Sequence, residues 1–306
     1  MSVVENATGE KEGLTRERQA HSGRVVSKDG TTIAFDRVGR GPPVILVVGA
    51  LCSRSLGPGV KLAPELAKQF TVFTYDRRGR GESGERLPYE VDREVEDLEA
   101  LIGEAGGSAF VFGHSSGAVL ALTAASLGVA ITKLVMYEAP FIVDRSRPTT
   151  ENDWARIEAA LAEGRRGNAV KAFLKCVGVP AIGIAVMRWL PVWAKVTEVA
   201  HTLSHDGALV REFQRGEPLS ARRWAHVEIP MLVIDGEKSP VWMHNATLAL
   251  ASVLANAQYR TLEGQTHDVS AKALAPVLTE FFDSPNRQTV RNPDDLSYST
   301  NSLTGA

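Results

Sequence analysis

The sequence predicts an α/β fold, in which a mostly parallel central sheet is flanked by helices and a helical segment is inserted between two strands. Short apolar runs alternate with longer helix-like runs up to about residue 140, which is typical of parallel sheets with helical connections. This alternation then stops, because residues 141–228 contain helical patterns and no convincing strand. Strands and helices alternate again over residues 230–282, so the middle segment is predicted to be an insertion.

The predicted strands are short runs of apolar and β-branched residues. They cover residues 24–27, 31–38, 44–48, 71–75, 109–112, 133–137, 230–234 and 258–262. Asp29-Gly30 lies between the first two runs and indicates a hairpin. The run at 44–48 has no polar residue, as expected of a strand that is buried on both faces.

The predicted helices follow the strands and place apolar residues at helical spacing. They cover residues 62–69, 91–105, 118–127, 245–253 and 271–282. The second is the clearest, since Val91, Val95 and Leu98 fall on one side of an otherwise charged helix.

The chain of 306 residues is long enough for one α/β domain with an insertion. We expect residues 23–140 and 229–283 to form the core and residues 141–228 to form the inserted helical segment. Residues 1–22 and 284–306 are polar and are expected to be disordered.

Composition argues against several functional classes. A net charge of −2 gives no indication of a nucleic-acid partner. The two cysteines have neither metal-ligand spacing nor a disulfide pattern, so no metal and no cofactor is expected. No apolar run reaches membrane-spanning length, and the first residues lack the basic and apolar regions of a secretory signal. A cytoplasmic location is therefore expected, while the sequence leaves the oligomeric state open.

A serine lies at the turn between a predicted strand and a predicted helix, in Gly113-His114-Ser115-Ser116-Gly117. A serine in such a turn has a strained backbone, and side chains two residues away on either side would collide there. Glycines at 113 and 117 remove that collision. The N–H groups at the start of the following helix favour negative charge near Ser115. The pattern G-x-S-x-G in this context is typical of a nucleophile elbow.

Two further motifs strengthen this interpretation: Asp76-Arg77-Arg78-Gly79-Arg80-Gly81-Glu82-Ser83, and Gly264-Gln265-Thr266-His267 near the end. With the elbow, they make residues 23–282 resemble α/β-hydrolase-fold enzymes of the lid-bearing ester, epoxide and haloalkane hydrolase type. The resemblance implies the α/β-hydrolase fold, with residues 141–228 as a helical lid. It also implies a triad in the chain order nucleophile, acid, histidine. Ser115 and His267 fit the first and last places.

The acid departs from the family's usual pattern. The family usually has G-x-x-D-P after the strand that corresponds to 230–234, but this chain has Ser239 where that aspartate belongs. Serine cannot balance an imidazolium charge. Glu138, at the end of the preceding strand, is the favoured replacement, because some haloalkane dehalogenases carry their acid there. Asp235 is the alternative, and Glu237 and Asp268 are weaker candidates.

The oxyanion hole of the family is made by two backbone N–H groups. By position these belong to Ser116 and to Ala50, in the loop after residues 44–48. Epoxide hydrolases and haloalkane dehalogenases have aspartate at the elbow, so Ser115 favours acyl transfer instead. The arginines at 77, 78 and 80 are interpreted as solvated or paired structural residues.

The inserted segment is rich in bulky apolar residues, and an apolar lid implies a hydrophobic small-molecule substrate. The residues expected around the substrate are His114, Leu51, Phe141, Trp189 and Trp193. The sequence thus predicts a serine esterase, a hydrolase that cleaves an ester, thioester or lactone through an acyl-serine. The alternatives are a degenerate hydrolase that binds a ligand, a non-hydrolytic cyclase and a cofactor-free perhydrolase.

Overall fold

The computed structural model describes residues 21–285. These residues contain eight strands: β1 (His21–Val26), β2 (Thr32–Val38), β3 (Pro43–Val47), β4 (Thr71–Tyr75), β5 (Ala109–His114), β6 (Ile131–Tyr137), β7 (Met231–Gly236) and β8 (Ala257–Leu262). The helices are α1 (Gly59–Leu66), α2 (Val91–Glu104), α3 (Ser116–Ser126), α4 (Glu151–Ala162), α5 (Arg166–Cys176), α6 (Ala181–Met187), α7 (Val192–Glu198), α8 (Leu203–Val210), α9 (Val241–Val253) and α10 (Ala271–Asp283). Three short 3₁₀ turns lie at Ala200–Thr202, Arg211–Phe213 and Ala221–Trp224.

The predicted disorder of residues 1–20 and 286–306 lies outside the described residues. His21 and Ser22 were expected in the disordered segment, but they begin β1 and pair with Arg37 and Asp36 of β2. The Ser22 hydroxyl also donates to Asp36. Pairing with a neighbouring strand therefore extends the ordered core two residues beyond the predicted boundary.

The eight strands form one sheet in the order β1-β2-β4-β3-β5-β6-β7-β8. β1 pairs with β2, and β2 with β4, in antiparallel fashion, whereas every pair from β4 to β8 is parallel. The sheet is the predicted α/β-hydrolase type, with an antiparallel edge. The carboxyl ends of β3, β5, β6, β7 and β8 consequently open on the same edge of the sheet.

Strand side chains alternate between two hydrophobic clusters, one on each face of the sheet. In β3, Ile45 and Val47 join one cluster, and Val44 and Leu46 join the other. α2 and α3 cover the first face, while α1 and α10 cover the second. Burial on both faces explains why this strand is apolar at every position.

All five helices from α4 to α8 lie between β6 and β7, as the helical pattern of this segment predicts. Trp154 and Ile157 of α4 and Leu203 and Leu209 of α8 are buried and belong to the cluster on the α2–α3 face. The inserted segment thus packs on the core through an apolar surface of its own.

Two helices begin three or more residues earlier than predicted. The helix expected at 62–69 spans Gly59–Leu66, because the chain turns toward β4 where the amides of Gln69 and Phe70 both donate to Leu66 O. The helix expected from 245 begins at Val241, directly after Pro240, whose carbonyl accepts from the Met243 amide.

Within residues 21–285, no helix combines the length and the apolar character that a membrane span requires.

Candidate active site

Ser115 lies at the turn between β5 and α3, with a backbone φ of 57° and ψ of −126°. A non-glycine residue is rarely found in this region, and such strain persists only where the surrounding structure enforces it. A Cβ at Gly113 would lie 2.5 Å from the Ala118 Cα, and one at Gly117 would lie 2.2 Å from the Val47 carbonyl oxygen. The turn therefore brings α3 so close to β3 and β5 that only glycine fits at both positions.

We expect Gly117→Ala to lower the free energy of unfolding by about 1–3 kcal/mol or more, because the new methyl group must displace the β3 backbone. Gly103→Ala is the control, since a methyl group added to Gly103 in α2 would meet no atom within 4 Å. Alanine there is expected to stabilise the helix by about 0.5–1 kcal/mol. Urea unfolding of both variants checks this, and an unchanged stability of Gly117→Ala would contradict the close approach.

Glu138 follows β6 directly and also has a positive φ, 48°. Its side chain is fully buried, and its Oε2 lies 2.7 Å from Nδ1 of His267, in the loop after β8. A carboxylate can only accept, so Nδ1 carries the proton in this pair. In the neutral ring, this arrangement leaves Nε2 of His267 as the nitrogen that can accept a proton.

Two other groups hold the second oxygen of Glu138. The Gly236 amide donates to Oε1 over 2.8 Å, and the Ser239 hydroxyl donates to the same atom. Burial alone would raise the pKa of Glu138, but the contact with His267 and these two donors outweigh it and lower that pKa. Ser239 thus occupies the family's usual acid position and supports the carboxylate that reaches over from β6.

The other candidate acids do not contact His267 in the structure. Asp235 is fully buried and accepts hydrogen bonds from His244 Nδ1 over 2.9 Å and from the Tyr259 hydroxyl over 3.0 Å. Glu237 accepts from the amide of Gly264. Asp268 is exposed. Asp235 therefore belongs to a separate carboxylate–histidine pair.

His114 and Tyr137 hold the loop that carries His267. The Nε2 of His114 donates to the His267 carbonyl over 3.1 Å, and the Tyr137 hydroxyl donates to the Thr266 carbonyl over 2.6 Å. Burial, together with the neighbouring His267, lowers the pKa of His114 to about 3. A neutral His114 can therefore fix the loop without placing a positive charge beside His267.

One cavity, of about 660 Å³ including its part open to solvent, brings together Ser115, His267, Glu138, Ala50 and Ser116. The remainder of its wall is largely apolar, with contributions from Trp154, Phe173, Val177, Val210, Trp242 and Met243. This composition suits a small molecule with a hydrophobic part.

None of the five residues predicted around the substrate lines this cavity. Phe141 is fully buried among other aromatic rings, and Leu51 is buried in the core. His114 supports the histidine loop from behind. Trp189 is 91% exposed, and Trp193 packs beside Gly167 and Arg188 in the inserted segment. The lining includes Trp154, Phe173 and Trp242 in their place, because helix packing decides which rings face inward.

Arg77 and Arg80 are buried at the junction of the elbow, the loop after β3 and the inserted segment. Both form ion pairs with Asp206 of α8. Arg77 lies 2.8 Å from its Oδ1, and Arg80 lies 2.8 Å from its Oδ2. The Ser116 hydroxyl donates to the same Oδ1 over 2.7 Å, and Arg80 donates to the Gly49 carbonyl over 2.7 Å. Asp206 thus connects the inserted segment to both places that carry the predicted oxyanion donors.

Arg78 is also fully buried and pairs with Asp97 and Asp29. All three arginines of the motif are therefore paired structural residues, and none is solvated.

We expect Asp206→Asn to lower the free energy of unfolding by about 3–5 kcal/mol, because it leaves Arg80 as a buried charge without a carboxylate partner. The guanidinium groups outweigh the effect of burial and hold the pKa of Asp206 below its ordinary value, so the charge is present at neutral pH. Glu280→Gln, which breaks the exposed pair with Arg260, is expected to change stability far less. Equal effects in urea unfolding would contradict this assignment.

Among residues 21–285, no three His, Cys, Asp or Glu side chains are grouped as a metal site would require.

Comparison with known proteins agrees with this architecture. The model of the alpha/beta hydrolase family matches residues 44–278. An alpha/beta hydrolase of known structure from Sphaerobacter thermophilus is 50% identical, with a TM-score of 0.79 over 85% of this chain and 100% of that chain. An esterase from Exiguobacterium antarcticum is 18% identical, with a TM-score of 0.67 over 86% of this chain and 100% of that chain. At this low identity, the likeness shows only that the fold is shared.

The match to another relative covers a much smaller part of both chains. The probable oxidoreductase EphD of Mycobacterium tuberculosis is 38% identical over 108 residues, which are 33% of this chain and 18% of that protein. The chain therefore spans less than a fifth of the length of this relative.

Proposed function

This chain belongs to the alpha/beta hydrolase family, and we propose that within it the protein is a serine hydrolase that cleaves a carboxylic ester, thioester or lactone of a hydrophobic small molecule. The observation that carries the proposal is geometric. Ser115 and His267 line one cavity, and Nδ1 of His267 lies 2.7 Å from the buried carboxylate of Glu138. In this proposal, Ser115 is the nucleophile, His267 the base and Glu138 the acid that orients it.

Acylation begins when Ser115 Oγ attacks the substrate carbonyl carbon. A serine hydroxyl is a weak nucleophile, and Nε2 of His267 takes its proton as the C–O bond forms. Glu138 keeps the Nδ1 proton in place and stabilises the imidazolium that results. His267 then gives the proton to the leaving oxygen or sulfur as its bond to the carbonyl carbon breaks, which leaves an acyl group on Ser115. The alcohol or thiol of an ester or thioester departs, whereas the new hydroxyl of an opened lactone stays attached to the acyl group.

The tetrahedral intermediate carries a negative charge on the former carbonyl oxygen. The backbone N–H groups of Ala50 and Ser116 are proposed to bind this oxyanion, and both residues line the cavity beside Ser115. Ser116 is also the first residue of α3, where the helix dipole favours negative charge. The Asp206–arginine cluster holds the neighbouring backbone in place before the reaction, which is what an oxyanion hole requires.

Deacylation repeats the chemistry with water. His267 removes a proton from a water molecule, which attacks the acyl carbon, and the same proton returns to Ser115 Oγ as the carboxylic acid leaves. The proposed lid, formed by residues 141–228, contributes Trp154, Phe173 and Val210 to the apolar wall around the acyl or alcohol group.

Hydrolysis of p-nitrophenyl esters of increasing acyl length by the purified protein tests this function. We expect release of p-nitrophenol with an initial burst or steady turnover, and with a preference for hydrophobic acyl groups. Binding without turnover across esters, thioesters and lactones would instead favour a ligand-binding protein or a cyclase. Peroxide-dependent halogenation that needs a carboxylic acid and exceeds ester hydrolysis would favour a perhydrolase.

A further inference from the structure

Arg147 brings a positive charge to the wall of the cavity that also contains Ser115 and His267. It lies between β6 and α4, at the start of the inserted segment. A guanidinium group has five N–H donors and stays charged at any physiological pH. Its partners therefore decide whether it is a structural group or a group that binds substrate.

The two carboxylates of the cavity wall are already paired with other groups. Glu138 is held by His267, and Asp206 is held by Arg77 and Arg80. Arg147 remains the one permanently charged group of this lining that has no oppositely charged partner among residues 21–285.

Neutral contacts hold Arg147 instead. Its Nη2 donates to the Cys176 carbonyl, and its guanidinium carbon lies 4.2 Å from the centre of the Trp242 ring. Asp153 also lies near the Cys176 thiol, but its carboxylate is paired with Arg156 over 3.6 Å. The Trp242 ring lies against one face of the guanidinium, and Nη2 makes both contacts with Cys176, to its carbonyl and its sulfur. Nε and Nη1 make no hydrogen bond to any of residues 21–285, so they can donate to a ligand.

We propose that Arg147 binds a carboxylate of the substrate, so that the natural substrate is an ester, thioester or lactone with a hydrophobic part and one anionic group. This inference rests on the proposed function. A single guanidinium matches one monoanion in charge, and its planar donors match the two oxygens of a carboxylate. The Trp242 ring covers one face of the guanidinium and shields that side of the pair from water, which strengthens their attraction.

The experiment compares three esters: p-nitrophenyl valerate, mono-p-nitrophenyl glutarate and 4-carboxyphenyl valerate. The first is neutral, the second carries the carboxylate on the acyl side, and the third carries it on the alcohol side. kcat/KM is measured for the wild-type protein, for Arg147→Gln and for Arg145→Gln. Arg145 is the matched control, because it is two residues away and exposed, and it does not line the cavity.

We expect Arg147→Gln to lower kcat/KM for one of the anionic esters about 10- to 100-fold more than for the neutral ester, as the loss of a charged hydrogen bond implies. Arg145→Gln should leave the ratio between anionic and neutral esters as it is in the wild type. An unchanged ratio in Arg147→Gln, or an equal change in Arg145→Gln, would overturn the inference while leaving the proposed hydrolase intact.

A binding measurement separates this inference from the proposed function. Calorimetric titration of Ser115→Ala with monophenyl glutarate and phenyl valerate needs no turnover. We expect the anionic ester to bind more tightly, and Ser115→Ala/Arg147→Gln to lose that difference. If no ester is hydrolysed by the wild type but this difference is found, the proposed function fails and the carboxylate site stands. Equal binding of the two esters would overturn the site.

Discussion

Ser115→Ala is expected to reduce kcat for ester hydrolysis by about 10⁶-fold, which is the order observed when the nucleophile of a serine triad is removed. Alanine has no oxygen to form the acyl-enzyme, so the reaction falls back on attack by water in the same cavity. The change removes only the hydroxyl oxygen, and the backbone at residue 115 keeps its strained φ of 57°. Initial rates with a p-nitrophenyl ester, measured over a wide range of enzyme concentration, give the value.

Ser126→Ala is the matched control for this variant. Ser126 lies at the other end of α3, away from the cavity, and its hydroxyl donates to Thr123 O within its own helix. We expect wild-type turnover from it, and thermal unfolding of both variants shows whether the fold is kept. A folded Ser115→Ala protein with turnover within tenfold of wild type would contradict the proposed role of Ser115.

Glu138→Gln is expected to lower kcat by about 10⁴-fold, the effect known for loss of the carboxylate in a serine triad. The glutamine amide can present N–H to the Nδ1 of His267, which then has to accept, and the proton moves to Nε2. In that tautomer His267 cannot take the proton of Ser115. Because the pKa of Glu138 is lowered in the folded protein, the charge that the variant removes is present at neutral pH.

Asp235→Asn tests the alternative acid with the same chemical change. Asp235 is as deeply buried as Glu138, but it pairs with His244 and Tyr259. We expect its kcat to stay within a few-fold of wild type. A loss in Asp235→Asn equal to that in Glu138→Gln would show that the geometry around His267 does not define the acid.

The parts of the site that depend on neighbouring residues in the chain could be predicted from the sequence. The elbow is such a part, because Gly113, Ser115 and Gly117 lie within five residues and a turn between strand and helix follows from the local pattern. The close approaches at both glycines are the steric reason for that pattern.

The sequence favoured Glu138 over Asp235 as the acid of the proposed triad, but it did not identify that acid. The two carboxylates end neighbouring strands, and Glu138 meets His267 across 129 positions of the chain. Which one points toward the histidine depends on backbone direction at φ 48°, and no local pattern encodes that. Ser239 could have indicated the answer. It stands where the family's usual acid would be, and its hydroxyl donates a hydrogen bond to Glu138.

The cavity wall was the least predictable part. Bulky apolar residues in the inserted segment were a reasonable choice, yet Trp189 faces solvent while Trp154 and Phe173 face the cavity. Short helices such as α6 and α7 pack in ways that depend on long-range contacts, not on composition. The position of Arg147 in the cavity wall and the pairing of Asp206 with two arginines were not predicted for the same reason, because both depend on the packing of distant segments.

The proposed function depends above all on Ser115 being an activated nucleophile in this cavity. Intact mass spectrometry after exposure to a fluorophosphonate, followed by peptide mapping, tests this most directly. We expect one adduct per chain on Ser115, formed rapidly in the wild type and lost in His267→Ala. Absence of an adduct in folded wild-type protein, or an adduct on another residue, would contradict it.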